Sequence, residues 1–302
     1  MTTAPALAGP RVPAPPGEAG AGDVHARLRD LTLSLARRSR LFRAGLVLVG
    51  INLVLAVIGP WIAPKPLIGA VAAPSLPPSG DHWFGTDPSG LDVFSRVIAA
   101  PRIDITVAVF STVIAVVLGT AIGLTVGFFH GVVGEVVMRA LDTLQALPGV
   151  LLVLIVVLLS GQGTLNIVLI LGTLTVPLYV RLVRAEVLSL RELPFVEAAV
   201  ANGGSRTSVA VRHVLPNALT PALALSTVTM GYALLAVTGL SFVGAGVRPP
   251  AAEWGGMISA GANGIGLGQW WMSVFPGAAI SLSVFGFAVV GEGFQRVLGR
   301  RM

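Results

Sequence analysis

Residues 105–129 read ITVAVFSTVIAVVLGTAIGLTVGFF, 25 positions without one charged side chain. A helix needs about 20 consecutive apolar residues to cross the hydrocarbon of a bilayer. The apolar residues run on without a period of two, so the stretch reads as a membrane-spanning helix and not as a barrel strand. Gly119, Gly123 and Gly127 recur every four residues, about one helical turn, and line one smooth face. Such a face lets a second helix approach closely in lipid, so these three positions are assigned to helix packing.

The rest of the chain supports the same solvent. Of 302 residues, 54% are hydrophobic and 11% charged, and the mean hydropathy is +0.84. A soluble domain carries about 25% charged residues. Lipid offers the backbone no hydrogen bonds, which leaves helices as the spanning element here. A first span is expected at 44–62, ending at Pro64, followed by a polar segment over 65–104 and the second span at 105–129. No charge occurs in 143–180, a stretch too long for one crossing; Ser160-Gly161-Gln162-Gly163 divides it into a third span at 139–159 and a fourth at 165–183. The fifth is placed at 219–243 and the sixth at 272–291. The expected fold is therefore an all-α membrane protein with about six transmembrane helices.

Residues 1–36 are read as a disordered tail, because the Pro, Gly and Ala that fill them bury too little apolar surface to fold. The tail lacks the order of charge, short apolar run and cleavage site that makes a signal peptide. Segment 37–104 holds the first span and an external region, 105–296 the membrane core with a loop at 184–217, and 297–302 a second tail. Lys and Arg orient the chain. Six spans put 16 of them on the side of both termini and 4 on the other: Lys65, Arg96, Arg102 and Arg248. Positive charge marks the cytoplasm, so both termini are expected there. The net charge of +6 brackets apolar spans, an arrangement that speaks for a lipid bilayer and against nucleic acid.

The loop at 184–217 carries the most informative residues. Pro194 suits the first turn of a helix, where its missing N–H is not needed. Asn202-Gly203-Gly204 stops that helix, since Gly accepts the left-handed conformation, and Ser205 caps a second one. The second helix is expected to end near Leu215-Pro216-Asn217, giving a helix, a tight turn and a helix between two spans.

Glu197-Ala198-Ala199, Gly203 and His213-Val214-Leu215-Pro216, at this spacing, resemble the EAA loop of binding-protein-dependent ABC importer permeases. His213 followed by Leu215-Pro216-Asn217 is similar to the dipeptide/oligopeptide/nickel branch. A second block, residues 82–96, HWFGTDPSGLDVFSR, with Asp87, Asp92 and Arg96, resembles the external segment of the C-type subunits of that branch. The sequence departs from that pattern at Leu91, at Ala99-Ala100-Pro101, at Asn202 and at Glu292. The resemblance covers roughly 40–296 and implies a type I ABC importer permease fold in a bacterial cytoplasmic (inner) membrane. It also implies that the loop, with Glu197, Ala198, Ala199, Gly203, His213, Leu215 and Pro216, couples to an ATPase subunit. The implied partners are a second homologous permease subunit, two ABC ATPase subunits and an external substrate-binding protein. Peptides are the implied cargo, with nickel chelates, opines or glutathione as alternatives.

The residues themselves exclude several chemistries. There is no cysteine, and the four histidines are scattered, so neither thiolate chemistry nor a metal cluster is expected. Lys65 is the sole lysine, which rules out a Gly-rich phosphate loop ending in Lys. No catalytic or cofactor-binding residue is assigned; the resemblance places ATP and Mg in the partner subunits. Gly239-Leu240-Ser241 has no histidine on a neighbouring span to serve an intramembrane protease. Asp, Glu, Lys, Arg and His are missing from the deep parts of the spans, which speaks against a proton-coupled secondary transporter, the alternative from another class. Arg139 and Asp142, three apart, are expected to pair with each other.

Overall fold

A helix of 23 apolar-rich residues, α1 (Arg40–Ile62), begins the part of the chain that the computed structural model describes, residues 40–129 and 131–298. The expected tail 1–36 and residues 299–302 lie outside the described residues. After an irregular segment come α2 (Val93–Ala99), α3 (Pro101–Phe128), α4 (Val132–Gln145), α5 (Gly149–Ser160) and α6 (Thr164–Leu190). Then follow α7 (Pro194–Ala201), α8 (Arg206–Val209), a π turn (Ala210–Val214) and α9 (Leu215–Phe242). The chain ends with α10 (Trp254–Gly261), a 3₁₀ turn (Ala262–Leu267) and α11 (Trp271–Leu298). Five helical stretches are long and apolar enough to cross a membrane, or six if the bent pair α4–α5 counts as one span. An isolated bridge between Thr86 and Asp92 is the only β pairing among the described residues.

The bundle is built on α3 and α6, its most extensive helix pair, with α9 packed on both, and α11 packed on α9 and α1. The three glycines explain the closeness of the first pair. A Cβ on Gly123 would lie 2.9 Å from Val183 Cβ, and one on Gly127 2.9 Å from Val187 Cβ. Lipid supplies no hydrophobic force between helices, so such close contact and buried polar bonds do the joining. Tyr179 on α6 donates its hydroxyl to Thr229 Oγ1 on α9 at 2.9 Å. Ser283 on α11 donates to Asn52 Oδ1 on α1 at 2.9 Å.

The structure departs from the sequence expectation in four places. The third span is not one helix over 139–159: α4 and α5 meet at 85°. Pro148 lies at the corner, lacks an N–H to donate and pushes the preceding residue out of the helical region. The second departure concerns the polar segment 65–104, whose last part is helical, with Asp92 capping α2 and Pro101 opening α3. Thirdly, the helix after Ser205 does not end near Leu215-Pro216-Asn217. The chain widens into the π turn, in which Leu215 N–H bonds Ala210 O, and runs on into α9. One extra residue in the turn accommodates Pro216, which has no N–H for the helical ladder, and Asn217 Nδ2 donates to His213 O at 2.8 Å. Finally, Asp142 pairs with Arg181 on α6 at 2.7 Å and not with Arg139. The corner turns α4 so that Asp142 faces α6, and Arg181 also reaches Gln145.

Candidate functional site

The loop between α6 and α9 folds into a hook. Leu193 is extended and Pro194 occupies the first turn of α7, where its fixed φ costs nothing. Glu197 sits in that first turn, where a negative charge is favoured by the exposed N–H groups. The helix ends in a left-handed Gly203, φ +85°. Gly204 N–H bonds Ala199 O at 3.1 Å and Gly203 N–H bonds Val200 O at 3.0 Å. This paired closure satisfies the last carbonyls of the helix. Gly204 is itself required, since a Cβ there would sit 2.7 Å from Ala199 O. Ser205 then caps α8 by accepting from Ser208 N–H at 3.3 Å.

The two faces of α7 differ. Glu197, Ala198, Val200, Asn202 and Gly203 are exposed, while Val196 is 5% exposed. Val196 packs with Val209 and Val214 into a buried cluster that continues through Val187, Val183 and Tyr179 to Ala115. Packed side chains thus connect α7 to the middle of the α3–α6 pair. The base of the hook is tied to α3 as well, by the Arg191 guanidinium donating to Gly127 O at 3.2 Å. A groove of about 390 Å³ runs beside the hook, lined by Phe128, Arg191, Glu192, Val196, Glu197, Val200 and Arg206.

Not every residue assigned to the loop lies on this exposed face. His213, Leu215 and Pro216 are half-buried in the π turn and the start of α9, where they shape the helix that carries the hook. Asp87, Asp92 and Arg96 lie at the opposite end of the bundle, where they hold the chain together. Asp87 Oδ1 accepts from Ser89 and Leu91 N–H at 2.8 and 2.9 Å. Asp92 accepts from Ser95 N–H at 2.8 Å and faces His82 Nδ1 at 2.8 Å. Arg96 donates to the carbonyls of Leu67, Pro250 and Ala251 at 3.0, 3.0 and 2.9 Å. Sequence reasoning missed Asp104 and Glu253, which lie at this same end; Asp104 bonds the Trp254 N–H 150 residues away, and such a separation gives no local signal. Among the described residues no group of three or more His, Cys, Asp or Glu is placed to hold a metal ion.

Comparison with known proteins gives the arrangement its family. The chain is 35% identical over 273 residues to a putative peptide transport system permease protein of Brucella suis, covering 90% of this chain and 92% of that one. It is 35% identical over 253 residues to a probable D,D-dipeptide transport system permease protein of Escherichia coli, covering 83% and 85%. Similarity to a glutathione transport system permease protein of Pectobacterium atrosepticum is 32% over 225 residues, covering 74% of each chain. Residues 119–302 match the profile of the binding-protein-dependent transport system inner membrane component. With its apolar helices and the α7–α8 hook, the chain belongs to that family of multi-pass inner-membrane permeases.

Proposed function

We propose that this chain forms half of the transmembrane pathway of an ATP-driven importer of peptides, and that α7 is the element through which a separate ATPase subunit drives it. In this reading the hook and both chain termini are cytoplasmic, and residues 63–92 and 243–270 face the external substrate-binding protein. A second homologous permease completes the pathway. ATP and Mg belong to the two ATPase subunits, and this chain performs no covalent chemistry.

One observation carries the reading. The exposed face of α7 is small and carries one acidic side chain, Glu197, while its buried Val196 roots it in a continuous cluster reaching Ala115. A docking helix needs both properties, a face narrow enough to enter a cleft and a stiff connection to the spans. The relatives named for peptide and dipeptide transport support the cargo.

The test is copurification followed by uptake. The chain is expressed with candidate permease, ATPase and binding-protein partners from the same genome, and the complex is reconstituted into vesicles. ATP-dependent uptake of a labelled dipeptide, competed by unlabelled dipeptide more strongly than by glutathione, is expected. Failure of an ATPase subunit to copurify, or uptake by the chain alone, overturns the proposal. Stronger competition by glutathione would reassign the cargo.

A further inference from the structure

At the end of the bundle opposite the hook, two carboxyl groups from distant parts of the chain face each other. Asp104 stands in the first turn of α3 and is 0% exposed; Glu253 precedes α10 and is 2% exposed. Glu253 caps α10, Oε1 accepting from Gly255 N–H and Oε2 from Gly256 N–H, both at 2.7 Å. Asp104 Oδ2 accepts the Trp254 N–H at 3.1 Å. The other oxygen, Oδ1, receives no hydrogen bond from any N–H or hydroxyl donor, and the two carboxyls gather on the successive N–H groups of Trp254, Gly255 and Gly256 that open α10.

The surroundings offer no charge to offset the pair. On α2, Arg96 gives its guanidinium to three carbonyls, and Val97 O accepts from Trp254 Nε1 at 3.0 Å. On α3, Arg102 lies over the Trp61 ring, 5.0 Å from its centroid. Arg248, in the loop before Glu253, reaches towards Gly161. His82 is taken by Asp92. From α9 the group beside Glu253 is the Ser241 hydroxyl. The acidic and basic groups of α11, Glu292 and Arg296, pair with each other far along that helix. Two ionised carboxylates in such a place repel, whereas one proton between them makes a strong O–H···O⁻ bond.

We propose that Asp104 and Glu253 hold a single proton between them and act as a pH-sensitive clasp, fastening the 243–270 segment to α3. Loss of that proton to bulk water takes the pair from one negative charge to two, and the segment loosens. Burial pushes the Glu253 carboxyl above the ordinary carboxylate range, against two backbone N–H groups that favour its charged form. A group whose proton affinity is raised by folding stabilises the fold at low pH and loses that contribution as pH rises through the raised value. The clasp is therefore closed below that raised value and opens as pH rises through it.

Asp104→Asn isolates the proton. Its amide oxygen still accepts from Trp254 N–H, and its NH₂ takes the place of Oδ1 and donates to Glu253 at every pH. The full-length protein is reconstituted in nanodiscs, and its infrared spectrum is recorded from about pH 4 to about pH 10, a range that starts at the ordinary carboxylate value and extends well above it. Wild type shows a protonated-carboxyl band that persists above the ordinary carboxylate range and is lost on further alkalisation; it is missing in the variant, where the Asn NH₂ adds a third donor that holds Glu253 ionised despite its burial. In parallel, amide-exchange protection of residues 254–261, corrected for intrinsic rates, falls about ten-fold or more in wild type, the change one pKa unit produces, and stays level in Asp104→Asn. Absence of the band in wild type above the ordinary carboxylate range, about pH 5, overturns the clasp, and so does an equal fall in the variant. Recovery of wild-type protection at high pH by sodium or calcium would assign the pair to a cation and likewise overturn it. The band is read on wild type, so a variant that fails to insert leaves the test standing.

Discussion

Gly119 of α3 lies against Tyr179 of α6 so closely that a Cβ on the glycine would stand 2.3 Å from the tyrosine Cβ. No side chain fits that gap. Because Tyr179 also donates its hydroxyl to Thr229, the same contact sets where α6 meets α9.

Gly119→Ala should therefore force α3 and α6 apart, at the cost of about 1–3 kcal/mol typical of an overpacked core. The measurement is the amount of folded protein in the membrane and its thermal midpoint in detergent. Gly50→Ala on α1, where a Cβ meets nothing within 4 Å, serves as the comparison and should leave both unchanged. Equal behaviour of the two variants would mean that α3 and α6 do not depend on this contact.

A second expectation concerns the hook. Gly203 holds φ +85° with open space around it. A β-branched residue there is strained by about 1–2 kcal/mol through its backbone alone. Gly203→Val should tilt α7 and leave the spans intact, so membrane abundance stays near wild type while uptake is lost. Gly203→Asn should retain much of the uptake, because Asn tolerates the left-handed region. Glu197→Lys should act like the valine variant through its exposed face. Normal uptake by both Gly203→Val and Glu197→Lys would remove the hook from the coupling mechanism.

The guanidinium of Arg96 joins three carbonyls from two separate segments, which a single ammonium cannot do with the same geometry. Arg96→Lys should leave at least one buried carbonyl unsatisfied, costing about 1–3 kcal/mol. Amide exchange in residues 63–92 and 243–262 should rise together, while exchange around α7 stays unchanged. A rise confined to one segment would contradict the bridging role.

Orientation is tested through cysteines introduced into a chain that has none. Ser89 and Ser205 are both exposed and lie at opposite ends of the bundle. Ser89→Cys should react with an impermeant thiol reagent in intact cells, and Ser205→Cys only after the membrane is opened. The reverse labelling would invert the proposed topology.

Span count, the glycine face of α3 and the start and stop of α7 were legible in the sequence because each depends on neighbours along the chain. Apolar length, four-residue spacing, Pro194 and Gly203 act locally. The sequence also made the loop 184–217 the informative segment, through Glu197-Ala198-Ala199 and its spacing to Gly203 and His213. Local reading failed where the outcome depended on what else was nearby. Pro148 and Pro216 are both breakers by sequence. One turns its span by 85°, and the other is absorbed in a π turn, with Asn217 supplying a hydrogen bond to His213 O. Asp142 had an acceptable partner three residues away and took Arg181 from another helix. Only the tertiary structure brings Asp104 to Glu253 and Arg96 to Pro250 and Ala251. Those contacts join residues about 150 positions apart, and burial, which gives them their strength, is a property of the assembled bundle.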